Sequence, residues 1–165
     1  MILKLRNNNT LEVDDFQFRC CIGKKGLISS KKKEEGDLST PKGFYKLKEL
    51  YYREDKYKKL ECKLKKKIIK KNLGWCCDST KKSYNKVIKI TKKNKKYEKL
   101  YRDDTKYDII IILDYNMKKT IPGKGSAIFI HITKDYKPTA GCIAFKEKDL
   151  LIMLKILKKN SYIKI

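Results

Sequence analysis

A chain of 165 residues suits one domain that buries roughly two thirds of its unfolded surface, and a single domain over residues 1–165 is expected. Apolar residues make up 41% and charged residues 38%, and runs such as Ile109 to Leu113 exclude a disordered chain. The net charge of +24 points first to nucleic acid, but only Arg6, Arg19, Arg53 and Arg102 among the 43 basic residues are arginine. The lysines run the whole length of the chain without an RNA-binding motif or a DNA-reading helix, which argues against that partner.

Met1 to Arg6 is a short apolar start broken by Asn7, Asn8 and Asn9, without the apolar core and cleavage site of a secretory signal. Phe16, Phe18, Cys20 and Ile22 alternate as in a strand, and Gly23 to Gly26 turns the chain. Residues 31–37 read as an exposed, charged loop. A strand resumes at Gly43 to Leu47. Leu60 to Leu64 and Val87 to Ile90 look like strands with lysine on the outer face, and Lys92 to Arg102 is assigned a helical turn. The unbroken apolar run Tyr107 to Leu113 predicts a strand covered on both faces, and therefore central. Gly123 to Gly125 leads into a strand over Ser126 to Ile132. Leu150, Met153, Leu154 and Leu157 share one helical face, with Asp149 near its start and Lys158 and Lys159 near its end. Tyr162 to Ile165 closes the chain as a strand. No stretch approaches the ~18 to 20 apolar residues of a membrane-spanning helix, so a soluble, mainly β protein with one C-terminal helix is expected.

The chemistry concentrates in residues 128–145, IFIHITKDYKPTAGCIAF, which hold the only histidine, His131, and Cys142 eleven positions later. In a strand over Ser126 to Ile132, Ala127, Phe129 and His131 share one face, and Ile128, Ile130 and Ile132 the other. A hairpin-like return through Thr133 to Gly141 would bring Cys142, first residue of the next strand, to hydrogen-bonding reach of His131. A thiol of pKa ~8.5 needs such a base to act as a nucleophile. Gly141 supplies backbone freedom where a substrate carbonyl would approach. Spacing alone fits equally well a core histidine beside a small buried thiol. The other cysteines, Cys20, Cys21, Cys62, Cys76 and Cys77, read as ordinary thiols. Cys76 is assigned to packing, at the edge of the site. No metal is expected, because a zinc site wants C-x-x-C spacing or more histidines, and no cofactor is expected either.

Beyond this pair, Ser39-Thr40-Pro41-Lys42-Gly43-Phe44-Tyr45, Gly74-Trp75-Cys76-Cys77-Asp78, Tyr84-Asn85, Tyr107 to Asn116, Gly125 to His131 and Pro138 to Cys142 follow one another in an order that resembles the YkuD-like L,D-transpeptidase family of cell-wall enzymes. The resemblance covers roughly residues 15–165 and implies a mainly β catalytic domain, a sandwich or barrel of mixed sheets. It implies that Cys142 attacks a peptide bond after an L-centre in a peptidoglycan stem, and that the amine of a diaminopimelate on a second stem captures the thioester. His131 would be base and acid, oriented by the carbonyl of Ile132. The oxyanion would be held by N–H groups around Ala140, Gly141 and Cys142. Thr139, Ser126, Trp75 and Arg102 are implied in substrate binding.

The sequence departs from the usual motif in its short His-to-Cys gap, in Ala140 where a second histidine is usual, and in lacking an arginine after Cys142. Arg102 is the substitute expected to anchor a substrate carboxylate. These departures resemble a short proteobacterial branch that joins L-Ala of one stem to diaminopimelate of the next, so either L-Ala-D-Glu or diaminopimelate-D-Ala is a candidate for the bond cut. Release of the acyl group to water, as a carboxypeptidase or amidase, is the alternative within enzymes. A non-catalytic basic module that binds polyanions is the alternative outside them. The family implies the periplasm or cell envelope, whereas the missing signal leaves the cytoplasm, another export route or a longer precursor open.

Overall fold

The computed structural model describes residues 1–165. In chain order the strands are β1 Ile2–Asn7, β2 Thr10–Val13, β3 Phe16–Cys21, β4 Leu27–Ser29, β5 Thr40–Lys42, β6 Phe44–Tyr52, β7 Lys65–Ile68, β8 Leu73–Cys76, β9 Val87–Lys89, β10 Tyr97–Lys99, β11 Ile109–Leu113, β12 Phe129–Ile132, β13 Ile143–Phe145 and β14 Tyr162–Lys164. One helix, α1 Glu147–Ile156, lies between the last two.

The main sheet runs β11-β12-β13-β3-β2-β1-β14-β6-β7, and a further pairing of β11 with β6 closes it into a barrel. The length of β6 makes this closure work. Phe44 to Lys46 pair with β14, while Leu47 and Leu50 to Tyr52 pair with β11. All five residues of β11 are buried, as a strand flanked on both edges and covered on both faces requires. The outermost strand, β7, pairs with β6 along Lys65, Lys66 and Lys67. Its lysines keep the open edge from recruiting another chain.

Side chains alternate between two cores. Ile109, Ile111, Ile130, Ile132, Ile143 and Phe145 point into the barrel, where they meet Leu150, Met153, Leu154 and Leu157 from the end of the chain. The helical face read from spacing is thus the buried one. Ile110, Ile112, Phe129 and Cys142 point the other way, into a smaller core completed by Trp75, Leu100 and Ala127. A separate three-stranded sheet, β10-β8-β9, carries Trp75 into that core. No helix is long and apolar enough to cross a membrane.

Several expectations are corrected. Leu60 to Leu64 is not a strand, although Leu60 and Leu64 are buried in the main core. Lys92 to Arg102 holds β10 where a helical turn was expected, because Tyr97 to Lys99 find a partner in Gly74 to Cys76. The first residues form two strands, β1 and β2, with Leu3, Leu11 and Val13 fully buried. The segment Ser126 to Ile128 precedes β12 as a bend, with Ala127 in the left-handed region at φ 54°.

Candidate active site

β12 and β13 are parallel, with His131 opposite Ala144, so the segment between them is a crossover and not the hairpin its length suggests. Cys142, immediately before β13, lies two residues behind Ala144 and therefore beside Phe129. This offset corresponds to about 7 Å along the strands. Cys142 and His131 nonetheless share a face and open onto one cavity of about 510 Å³.

The thiol is held by backbone. Cys142 Sγ donates to the Ala127 carbonyl at 3.1 Å and accepts the Phe129 N–H at 3.4 Å, so its partner is not the imidazole. Burial raises its pKa well above that of a free thiol, and Glu98 adds to the rise. His131 is 6% exposed, and burial lowers its pKa to about 4. Its Nδ1 lies 2.8 Å from the Ile132 carbonyl, which fixes Nδ1 as the protonated nitrogen and leaves Nε2 with a lone pair. The resting couple is therefore a neutral thiol and a neutral imidazole.

The loop that carries Cys142 is braced by three hydrogen bonds with two threonines. Thr139 Oγ1 donates to the Cys142 carbonyl at 2.6 Å and accepts the Gly141 N–H at 3.1 Å. Thr40 Oγ1 donates to the Gly141 carbonyl at 2.8 Å, which gives the Ser39-Thr40-Pro41 segment its structural purpose. Gly141 has φ 145°, and a Cβ there would stand 2.9 Å from the Ser39 carbonyl oxygen. Its own N–H being taken by Thr139, the N–H groups of Ala140 and Cys142 are the ones without a protein acceptor.

Of the other expected residues, Ser126, Thr139, Ala140, Ile132 and Arg102 line the cavity. Arg102 is engaged with Asp104 through two bonds, at 2.9 and 2.6 Å, and lies over the Tyr107 ring. Trp75 does not line the cavity. It is 3% exposed, stands edge-on to Phe129 at 5.0 Å and donates to Asn85 Oδ1 at 3.0 Å. Asn85, which its sequence neighbourhood does not mark as a site residue, ties the site together. Its Oδ1 also accepts the Ala127 N–H at 3.1 Å, and its Nδ2 donates to the carbonyls of Tyr115 and Asn116. Cys77, rather than Cys76, reaches the cavity, because β8 turns Cys76 inward against Ser83. Lys33, Glu35, Glu98 and Tyr107 also line it. Lys33 belongs to the charge run expected to be exposed, yet it is 2% exposed and paired with Asp37 at 2.7 Å.

A closed, mixed β-barrel thus places a cysteine and a histidine in the lining of one cavity. The chain matches the YkuD family model, described as the L,D-transpeptidase catalytic domain, over residues 2–165. It belongs to that family, whose members act on peptidoglycan peptides, generally in the periplasm or cell envelope. The match takes in β1 and β2, ahead of the motifs. No curated protein matches the chain.

Proposed function

We propose that this protein is a cysteine L,D-transpeptidase, acting as one catalytic domain over residues 1–165 and cross-linking peptidoglycan stems in the cell envelope. The observation that carries the reading is that Cys142 shares one cavity with a histidine whose Nδ1 is fixed by the Ile132 carbonyl. When a stem peptide enters, the thiol leaves Ala127 and gives its proton to His131 Nε2. The sulfur attacks the carbonyl carbon of the peptide bond after an L-centre. The free N–H groups of Ala140 and Cys142 receive the oxyanion. His131 returns the proton to the departing amine nitrogen, which leaves a thioester on Cys142. The side-chain amine of a diaminopimelate on a second stem then displaces the sulfur and completes the cross-link.

Lys106, Lys134 and Lys137 line the cavity with Arg102, and they suit the carboxylates of a stem peptide better than Arg102 alone, which Asp104 already holds. The test is incubation of the purified protein with muropeptides and mass spectrometry of the products. Cross-linked dimers are expected, and Cys142→Ala abolishes them. Shortened monomers without dimers would replace transfer by hydrolysis, and full activity in Cys142→Ala would overturn the assignment.

A further inference from the structure

Glu98 is a carboxylate without a cation in a chain that carries 43 basic residues. It stands half-buried on β10, brought to the cavity by the pairing of Glu98 with Trp75 across β8. The Tyr107 hydroxyl donates to its Oε2 at 2.6 Å, and Oε1 accepts no hydrogen bond from the protein. The nearest guanidinium, Arg102, is spent on Asp104. Tyr107 in turn lies edge-on to His131 at 5.2 Å, so a single ring separates Glu98 from the histidine.

A second unpaired polar group belongs to the lining of the same cavity. Ser126 Oγ is buried, lines this cavity and has no hydrogen-bond partner, although the residue is only 7% exposed. A buried hydroxyl left unpaired costs free energy unless a ligand satisfies it. The groups facing Glu98 are Tyr107, Glu35, Arg102, Cys77 and Cys142. Glu35 is itself capped by the Tyr84 hydroxyl. The side formed by β10 and residues 33–36 thus carries Glu98 and Glu35 with Lys33, whose charge Asp37 balances, whereas the crossover after β12 presents Lys134 and Lys137 to the same cavity.

We propose that Glu98 receives the acceptor amine as an ammonium ion and takes one of its protons when the thioester is resolved. This rests on the transpeptidase reading and gives the acceptor its binding group. The ammonium enters with a hydrogen bond to Glu98 Oε1. One N–H proton passes to the Glu98 carboxylate, and the freed lone pair attacks the thioester carbonyl. The C–N bond forms and the C–S bond breaks. The second proton lost by nitrogen reaches the departing sulfur through His131, and Glu98 returns its proton to solvent. Burial raises the pKa of Glu98, which makes it a better acceptor of a proton from an ammonium than a solvated carboxylate would be. Water carries no positive charge for Glu98 to attract, so the residue favours transfer over hydrolysis by holding the ammonium where water would otherwise stand.

The test has two arms. In the first, meso-diaminopimelate is titrated by calorimetry into Cys142→Ala protein with and without Glu98→Gln. Loss of a charge-assisted hydrogen bond should weaken binding about tenfold. Binding to the Glu98 form should fall off at low pH as the carboxylate protonates, Glu98→Asp should keep that dependence, and Glu98→Gln should lose it. In the second arm, Glu98→Gln in the active protein should lower the ratio of cross-linked to hydrolysed product about tenfold, a ratio set after the acyl-enzyme has formed and therefore independent of how fast it forms. Equal affinity in the two proteins, or an unchanged product ratio, would overturn the proposal. Failure of the wild-type protein to form any acyl-enzyme would instead sink the transpeptidase reading, and the calorimetric arm would still decide whether Glu98 binds an ammonium. Thermal unfolding of Glu98→Gln, expected at or above the wild-type temperature because a desolvated carboxylate is removed, controls for folding.

Discussion

The Cys142 thiol donates its hydrogen bond to the carbonyl of Ala127, 3.1 Å away, and Ala127 occupies a left-handed bend that Asn85 secures through the Ala127 N–H. The nucleophile is therefore parked on backbone, and the bend that parks it belongs to a different loop from the one that carries it.

Cys142→Ser keeps a donor for Ala127 and Cys142→Ala does not. Cys142→Ala should cost about 1 kcal/mol of stability, because a buried carbonyl loses its partner, and Cys142→Ser should cost less. Both should lose acyl-enzyme formation. Urea unfolding and intact-protein mass spectrometry read the two effects separately.

His131 gives the site a pH signature. Its folded pKa, about 4, lies below the ~6.5 of an unfolded histidine. Above pH 6.5 neither state binds the proton and stability is unaffected. Between about pH 6.5 and 4 only the unfolded chain takes up the proton, so stability should fall as pH is lowered, by roughly 3 kcal/mol in all. His131→Asn should lack this component in unfolding curves recorded across that range. The acid limb of the acylation rate should likewise lie near 4 rather than near 6.5.

Gly141→Ala places a Cβ against the Ser39 carbonyl oxygen in a conformation L-residues avoid. A loss of about 2 kcal/mol is expected, together with loss of acylation, since the displaced strut is the one that aims Cys142. A fully active Gly141→Ala would show that the Ser39 contact is dispensable.

Asn85→Ala removes an acceptor shared by the Trp75 indole and the Ala127 N–H, and a donor to two carbonyls. A cost of about 3 kcal/mol is expected in chemical unfolding. Asn85→Asp, which keeps the acceptor and loses the donors, should fall between that variant and wild type.

Much of the barrel can be read along the chain. Alternation marks β3 and β6, continuous apolar residues mark β11 as central, and the spacing of Leu150, Met153, Leu154 and Leu157 marks the buried face of α1. The faces of β12 are legible for the same reason, since neighbouring side chains on a strand point opposite ways. Leu60 to Leu64 misled because two apolar residues separated by polar ones can be buried from an irregular segment as well as from a strand. Tyr97 to Lys99 misled because so short a strand takes its conformation from its partner, β8.

Residue types and local periodicity thus mark Cys142, His131 and the glycine that precedes the cysteine as one reactive neighbourhood, because turns and face alternation depend on near neighbours alone. The parallel pairing of β12 with β13, the thiol's rest on Ala127 and the arrival of Glu98 at the cavity depend on contacts between segments distant in the chain. Asn85 to Ala127 spans 42 residues, and Thr40 to Gly141 spans 101. Such contacts form only when the barrel closes.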